Sequence, residues 1–111
     1  MKILITGGMG FIGLHLVDYL LKKGNKIIVL DNFSNSNKNL IKKIQNKNLR
    51  IIEGDVRKID DIVNSMKNQE IVIHLAAKIS VNESIENPNE TFDVNVNGTK
   101  NVLKACKKNN I

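Results

Sequence analysis

Residues 1–13, MKILITGGMGFIG, place Gly7, Gly10 and Gly13 at steps of three directly behind an apolar run. Glycine loses more backbone entropy on folding than any other residue, so this spacing indicates a need for space at the backbone. A strand that turns into a helix at such glycines is typical of a phosphate-binding turn. We predict that Gly7 permits the sharp turn, Gly10 lets a diphosphate approach the backbone, and Gly13 lets helix and strand pack closely.

Short segments rich in β-branched residues predict four strands, over residues 2–6, 26–31, 50–54 and 71–75. Helical spacing of apolar residues predicts helices over residues 11–23, 37–46, 59–67 and 90–108. Strands that are apolar on both faces and alternate with helices require right-handed crossovers and a parallel sheet. The sequence therefore predicts an α/β fold, a Rossmann-like doubly wound parallel sheet with the strand order 3-2-1-4.

The composition limits the possible classes of protein. A chain of 111 residues with 41% hydrophobic and 25% charged residues is typical of one soluble globular domain. The net charge is +6, but the lysines are dispersed without interleaved aromatic residues, so we expect no nucleic-acid partner. The single cysteine, Cys106, excludes an internal disulfide and a cysteine-rich metal site. Because no apolar run is long enough for a signal peptide or a membrane span, we expect a cytoplasmic protein without a membrane partner.

Asp31 closes the predicted second strand, 24 positions after Gly7. A carboxylate at this place can accept hydrogen bonds from both hydroxyls of the adenosine ribose of a dinucleotide. Its charge would repel a 2′-phosphate, so we expect NAD rather than NADP as the cofactor. Two alternatives remain open: a solvated aspartate at a strand end, and a tightly packed glycine turn that binds no ligand.

Five motifs occur in order along the chain: TGGMGFIG at residues 6–13, Asp31-Asn32 with Ser34, Gly54-Asp55-Val56, HLAA at residues 74–77, and NVNGT at residues 95–99. Together they resemble the extended short-chain dehydrogenase/reductase family. More narrowly, the chain is similar to the NAD-dependent epimerase/dehydratase branch, which includes nucleotide-sugar epimerases of the UDP-glucose 4-epimerase type. The resemblance spans the whole chain.

The resemblance implies a set of cofactor-binding residues. It places Phe11 and Ile12 at the pyrophosphate turn, and Asp31 and Asn32 on the adenosine ribose with Ser34 beside them. It places Asp55 and Val56 around the adenine, and Leu75, Ala76 and Ala77 beneath the nicotinamide half. Asn95 would position the cofactor or the end of the fourth strand. Each has a simpler alternative. Asp55 could cap a helix, residues 75–77 could be a buried strand end, and Asn95 could bond to backbone within a helix.

The family's proton transfer requires a Tyr-x-x-x-Lys pair on a later helix. Tyr19 stands four residues before Lys23, but this match lies on the first predicted helix, and we assign it no role. His74 ends an apolar strand, and the family uses it structurally. Related 4-epimerases carry a substrate-side lysine where this sequence has Ile79, so Lys78 inherits no role. We therefore expect no catalytic residue in this chain.

The resemblance also implies which part of an enzyme this sequence represents. Residues 1–111 correspond to the N-terminal part of an NAD-binding domain, and we expect the catalytic and substrate-binding portion to be absent. The complete enzyme would be a nucleotide-sugar epimerase or dehydratase that transfers hydride at a sugar carbon, and this chain alone would be inactive. The alternative is a non-catalytic dinucleotide-binding or interaction module, which self-associates or binds a partner chain through the open edge of the fourth strand.

Overall fold

Four parallel strands form the sheet in the computed structural model, which describes residues 1–111. They are β1 (Lys2–Thr6), β2 (Lys26–Asp31), β3 (Leu49–Glu53) and β4 (Ile71–His74). Their order in the sheet is β3-β2-β1-β4. The register places Ile3 of β1 between Ile27 of β2 and Ile71 of β4. The predicted fold class and strand order are thereby confirmed.

Helices cover both faces of this sheet. They are α1 (Phe11–Lys22), α2 (Leu40–Lys43), α3 (Ile59–Met66), α4 (Val81–Glu86), α5 (Pro88–Phe92) and, after a π-helical segment over Asp93–Asn97, α6 (Gly98–Lys108). Side chains alternate along β1, so Ile3 and Ile5 face one side of the sheet and Leu4 faces the other. Ile5 packs in a core with Val17 of α1, and Leu4 packs in a second core with residues of α3 and α6. Each of the four strands contributes apolar side chains to both cores, as a doubly wound sheet requires.

Two helical segments differ from the sequence prediction, and the predicted helix over residues 90–108 is interrupted by the π-helical segment Asp93–Asn97 between α5 and α6. The predicted helix over residues 37–46 shrinks to α2, because the side chains of Asn37 and Asn46 accept hydrogen bonds from backbone N–H groups two residues on, at 2.9 Å each. These local turns compete with a helix. The second difference is α4, which the sequence analysis missed; Ser80 caps it by accepting from the Glu83 N–H at 3.2 Å.

The strand β4 lies at one edge of the sheet and pairs only with β1. All four of its residues are half-buried. Coverage of this edge by another chain stays a prediction. None of the helices combines the length and the hydrophobicity that a membrane crossing needs.

Candidate functional site

A cavity of about 690 Å³ opens at the carboxyl ends of β1, β2 and β4. Parallel α/β sheets bind ligands at this end, where the direction of winding reverses. The predicted site residues that line it are Gly7, Gly10, Phe11, Ile12, Gly13, Asp31, Asn32, Ser34, Val56, Leu75, Ala76 and Ala77. Asp55 and Asn95 do not line it. The fold thus gathers residues from separate segments of the chain around one space.

Of the three glycines spaced by three residues, two are packed too closely for a side chain. Gly7 has a φ of +69°, and a Cβ there would lie 2.7 Å from the backbone nitrogen of Ala76. A Cβ on Gly13 would lie 2.6 Å from the Gly7 carbonyl oxygen. A Cβ on Gly10 would meet only that same oxygen, at 3.4 Å. Gly7 and Gly13 therefore hold the turn between β1, α1 and the segment after β4, whereas Gly10 leaves space at the cavity.

The N-terminus of α1 presents unpaired donors to the cavity. The backbone N–H groups of Phe11, Ile12 and Gly13 donate to no acceptor in the protein. Gly10, the N-cap residue, has no side chain to accept from them. Free N–H groups at the positive end of a helix dipole favour an anion. This end of the cavity can therefore hold a phosphate group.

Asp31 lies against the same turn. Its Oδ2 accepts a hydrogen bond from the Met9 N–H at 2.9 Å, and its Oδ1 accepts one from the Phe33 N–H at 2.8 Å. The residue is only 9% exposed, yet it lines the cavity. Each carboxylate oxygen keeps a lone pair beyond these bonds, so Asp31 can still accept from a ligand.

The loop after Asp31 is shaped by a residue of unusual backbone conformation. Phe33 has a φ of +59°, and its ring is buried in the core on the α1 side of the sheet. A non-glycine residue in this region is uncommon and is held by its surroundings. Asn32 accepts from the Ser34 N–H at 3.0 Å. Phe33 thus places its ring in the core, whereas its two polar neighbours, Asn32 and Ser34, line the cavity.

Several lining residues were missed by the sequence analysis: Leu30, Asn35, Ser36, Gly54, Lys78, Ile79, Ser80, Glu83 and Val94. Ser36 is the most informative, because its Oγ is buried without any hydrogen-bond partner. Such an orphaned hydroxyl in a cavity wall is suited to a polar ligand. The signal for Ser36 in the sequence is the run of short polar residues that follows Asp31.

Asp55 and Asn95 act behind the cavity wall. The Asp55 carboxylate accepts from Arg57 Nη2 at 2.7 Å and from Asn32 Nδ2 at 3.3 Å. The hydrogen-bonded Arg57 side chain lowers the pKa of Asp55 to about 2. The Asn95 side chain donates to the Lys78 carbonyl at 2.9 Å and accepts from the Lys78 N–H at 2.8 Å. Asn95 therefore fixes the segment after β4, and direct contact of either residue with a cofactor stays a prediction.

His74 connects the sheet to α6 through two hydroxyl groups. Thr99 Oγ1 donates to the Asn95 carbonyl at 2.6 Å, so it accepts from His74 Nε2–H at 3.0 Å. The Thr6 hydroxyl then donates to Nδ1 at 2.6 Å, while its oxygen accepts from the Leu75 N–H at 3.2 Å. Burial lowers the pKa of His74. A neutral imidazole is therefore satisfied on both nitrogens, and it does not line the cavity.

The Tyr19–Lys23 pair lies outside the cavity. Tyr19 is on α1 and 58% exposed, and the Lys23 ammonium lies 5.5 Å from the centre of its ring. Neither residue lines the cavity. The pair therefore cannot transfer a proton to a ligand bound there.

The chain matches a known protein family over almost its whole length. The model of the NAD dependent epimerase/dehydratase family matches residues 3–111. A relative from Methanocaldococcus jannaschii, only provisionally named a UDP-glucose 4-epimerase, is 43% identical over 111 residues, which cover 98% of this chain and 35% of that protein. This chain thus spans about a third of the length of that relative.

Solved structures agree in fold and carry nucleotides. UDP-glucose 4-epimerase from Thermus thermophilus in complex with NAD is 34% identical, with a TM-score of 0.88 over 100% of this chain and 35% of that one. The dTDP-glucose 4,6-dehydratase of Streptomyces venezuelae with NAD and TYD bound is 28% identical, with a TM-score of 0.91 over 100% of this chain and 37% of that one. With the family model matched over residues 3–111, the chain belongs to the NAD-dependent epimerase/dehydratase family.

Proposed function

We propose that this chain binds NAD in the cavity and is the NAD-binding portion of a nucleotide-sugar epimerase or dehydratase. The observation that carries the proposal is the pairing of two features at one turn. The free N–H groups of Phe11, Ile12 and Gly13 can hold a diphosphate, and Asp31, bonded to Met9 of the same turn, can accept from a ribose. A dinucleotide contains both groups in one molecule.

The remaining polar groups support the adenosine end of the proposal. Asn32, Ser34 and Ser36 lie in the loop after Asp31, and the orphaned Ser36 hydroxyl fits a ligand rich in hydroxyl and phosphate oxygens. Val56 adds apolar surface for a base, with Asp55 behind it. We propose that residues 75–77 lie beneath the nicotinamide half, with Asn95 fixing the chain that follows them.

Bound NAD supplies hydride acceptance and return at a sugar carbon, and this chain supplies binding and orientation. The names of the relatives indicate nucleoside-diphosphate sugars as the substrate class of the complete enzyme. No tyrosine lines the cavity. We therefore propose that the chain alone does not turn over such a sugar, and a measured conversion of UDP-glucose by the purified chain with NAD would contradict this.

Calorimetric titration of the chain with NAD and NADP tests the proposal. We expect NAD to bind at least about tenfold more tightly than NADP, because the buried Asp31 charge opposes a 2′-phosphate. The matched variants are Asp31→Asn and Asp18→Asn; Asp18 is an exposed residue of α1 that pairs with Lys22. Only the first should reduce the preference for NAD. Binding of NADP without NAD would overturn the role of Asp31, and binding of neither would overturn the proposal.

A second candidate function is an interaction module, and one observation favours it. Ile79, Val81 and Ile85 follow the edge strand β4 and are between 71% and 84% exposed. Exposed apolar side chains and an open sheet edge each favour association with a second copy of the chain. Sedimentation equilibrium tests it: a monomer at all concentrations would exclude self-association through this surface.

A further inference from the structure

Lys78 is the only cationic side chain that lines the cavity, whereas Asp31 and Glu83 contribute carboxylates. Its backbone is held on both sides by Asn95, at 2.8 and 2.9 Å. Its side chain is only 17% exposed. The structure therefore fixes the starting point of this side chain and shields much of it from water.

The Lys78 ammonium is weakly engaged. It lies 3.8 Å from Glu83 Oε2 and 3.5 Å from Glu90 Oε1, and it donates no hydrogen bond within the protein. Charge-assisted hydrogen bonds are typically about 2.7–2.9 Å long. Glu90 is shared with Arg57, at 3.8 Å, and accepts from Asn87 at 3.1 Å. A cation with three donors thus lies at the cavity with none of them strongly bonded.

We propose that Lys78 binds the diphosphate of a nucleotide in this cavity. Its ammonium would exchange the carboxylates of Glu83 and Glu90 for phosphate oxygens. A diphosphate offers short bonds to a partly desolvated ammonium, where the attraction is less screened than in water. The N–H groups of α1 donate hydrogen bonds but carry no net charge. Among the side chains that line the cavity, Lys78 provides the only positive charge. The proposal rests on the proposed function for its nucleotide, and the diphosphate belongs either to NAD or to a nucleoside-diphosphate sugar.

The test measures binding of NAD, UDP-glucose and adenosine to the wild-type chain and to Lys78→Met, Lys78→Arg and Lys104→Met. Lys104 is exposed on α6, so its variant matches the change in net charge at a distance from the cavity. We expect Lys78→Met to weaken a diphosphate ligand about tenfold or more, with adenosine unaffected. The affinity of Lys78→Met for a diphosphate ligand should also depend less on ionic strength than that of the wild type. Lys78→Arg should retain most of the affinity, and Lys104→Met should retain all of it.

The two ligands separate the sources of the diphosphate, and the outcomes separate the two proposals. Weakening with NAD assigns Lys78 to the cofactor, and weakening with UDP-glucose alone assigns it to the substrate. If the wild type binds NAD, and Lys78→Met binds NAD and UDP-glucose with the same affinities as the wild type, the role of Lys78 is wrong and the proposed function stands. If the wild type binds UDP-glucose through Lys78 but not NAD, the proposed function is wrong and Lys78 stands. Binding of neither ligand overturns both.

A purely structural role for Lys78 has a different signature. It would lower the thermal unfolding temperature of Lys78→Met and reduce the affinity for adenosine as much as that for the diphosphates, with unchanged salt dependence. That pattern would overturn the proposal. Lys78→Gln, which keeps a polar side chain, replaces Lys78→Met if the latter fails to fold.

Discussion

Two walls of the cavity are held in different ways. The turn wall, residues 6–13 with residues 31–36, is held by backbone groups: glycines without room for a Cβ and N–H groups bonded to the buried Asp31. The connection wall, residues 75–97, is held largely by side chains, with Asn95 on the Lys78 backbone and Glu90 shared by two cations. Backbone constraints cannot be satisfied by moving a rotamer, so the turn wall should tolerate substitution less well.

Gly13→Ala should disrupt the turn wall with the largest effect. Its Cβ would lie 2.6 Å from the Gly7 carbonyl oxygen and from the Gly8 Cα, and backbone atoms cannot move aside cheaply. We expect a loss of about 3 kcal/mol of unfolding free energy, or failure to fold. Gly10→Ala is the matched control, since its Cβ meets only one atom, at 3.4 Å. Urea denaturation measures both, and equal losses would show that the turn is not closely packed.

Asp31→Asn should have the next largest effect on stability. The two carboxylate oxygens accept from the N–H groups of Met9 and Phe33, and an amide can replace only one of them. The other buried N–H loses its acceptor, which costs about 2 kcal/mol. Asp18→Asn, at an exposed ion pair, should cost less than about 0.5 kcal/mol. Denaturation midpoints compare them; an unchanged midpoint for Asp31→Asn would mean that the acid does not fasten the turn.

The turn wall was predictable from the sequence because each of its determinants is a short pattern at the end of a strand. Glycines at steps of three directly follow the first strand, and an acid stands at the end of the second. The sheet order followed from the alternation of strands and helices. Placing Asp31 against the turn needs only adjacent parallel strands, and the structure confirms that order.

The connection wall was predicted only in part. Asn95 was singled out by the resemblance alone, and its hold on Lys78 joins residues 17 positions apart. The six-residue helix α4 is too short for helical periodicity to reveal it. Lys78, Glu83 and Glu90 come together only because the segment after β4 lies close to two short helices, α4 and α5. Side-chain pairing across such elements is a tertiary effect that local propensity does not encode.

His74 joins the turn wall to α6 through Thr6 and Thr99, and a lower pH should weaken this junction. The neutral ring accepts from Thr6 and donates to Thr99, and a second ring proton would face an oxygen that already accepts. Burial lowers the pKa of His74 from its ordinary value of 6.5. Below pH 6.5 the unfolded chain therefore binds a proton at this residue more strongly than the folded chain does. Stability should therefore fall as the pH drops below this value, and it should recover as the pH rises.

The measurement is urea denaturation at about pH 7.5 and about pH 5, on the wild type and on His74→Gln, on either side of the ordinary histidine pKa. The variant has no titrating group at this position, so its loss between the two pH values should be smaller. His15→Gln is the control, because that histidine lies on α1, outside the network. Equal pH dependence in the wild type and His74→Gln would assign the effect to other groups.

Glu90→Gln tests the connection wall and should have the smallest effect. Glu90 lies 3.8 Å from Arg57 and 3.5 Å from Lys78, and its side chain is 38% exposed. Ion pairs of this exposure contribute about 0.5 kcal/mol or less, because water and salt screen them. The free energies of unfolding of Glu90→Gln and of the control Glu86→Gln, measured by denaturation, should therefore differ by about 0.5 kcal/mol or less. Glu86 is the control because it lies at an exposed position. A loss of about 2 kcal/mol, the cost of an unpaired buried group, would show a connection wall as firmly held as the turn wall. It would also leave Lys78 too tightly bound by carboxylates to exchange them for a diphosphate.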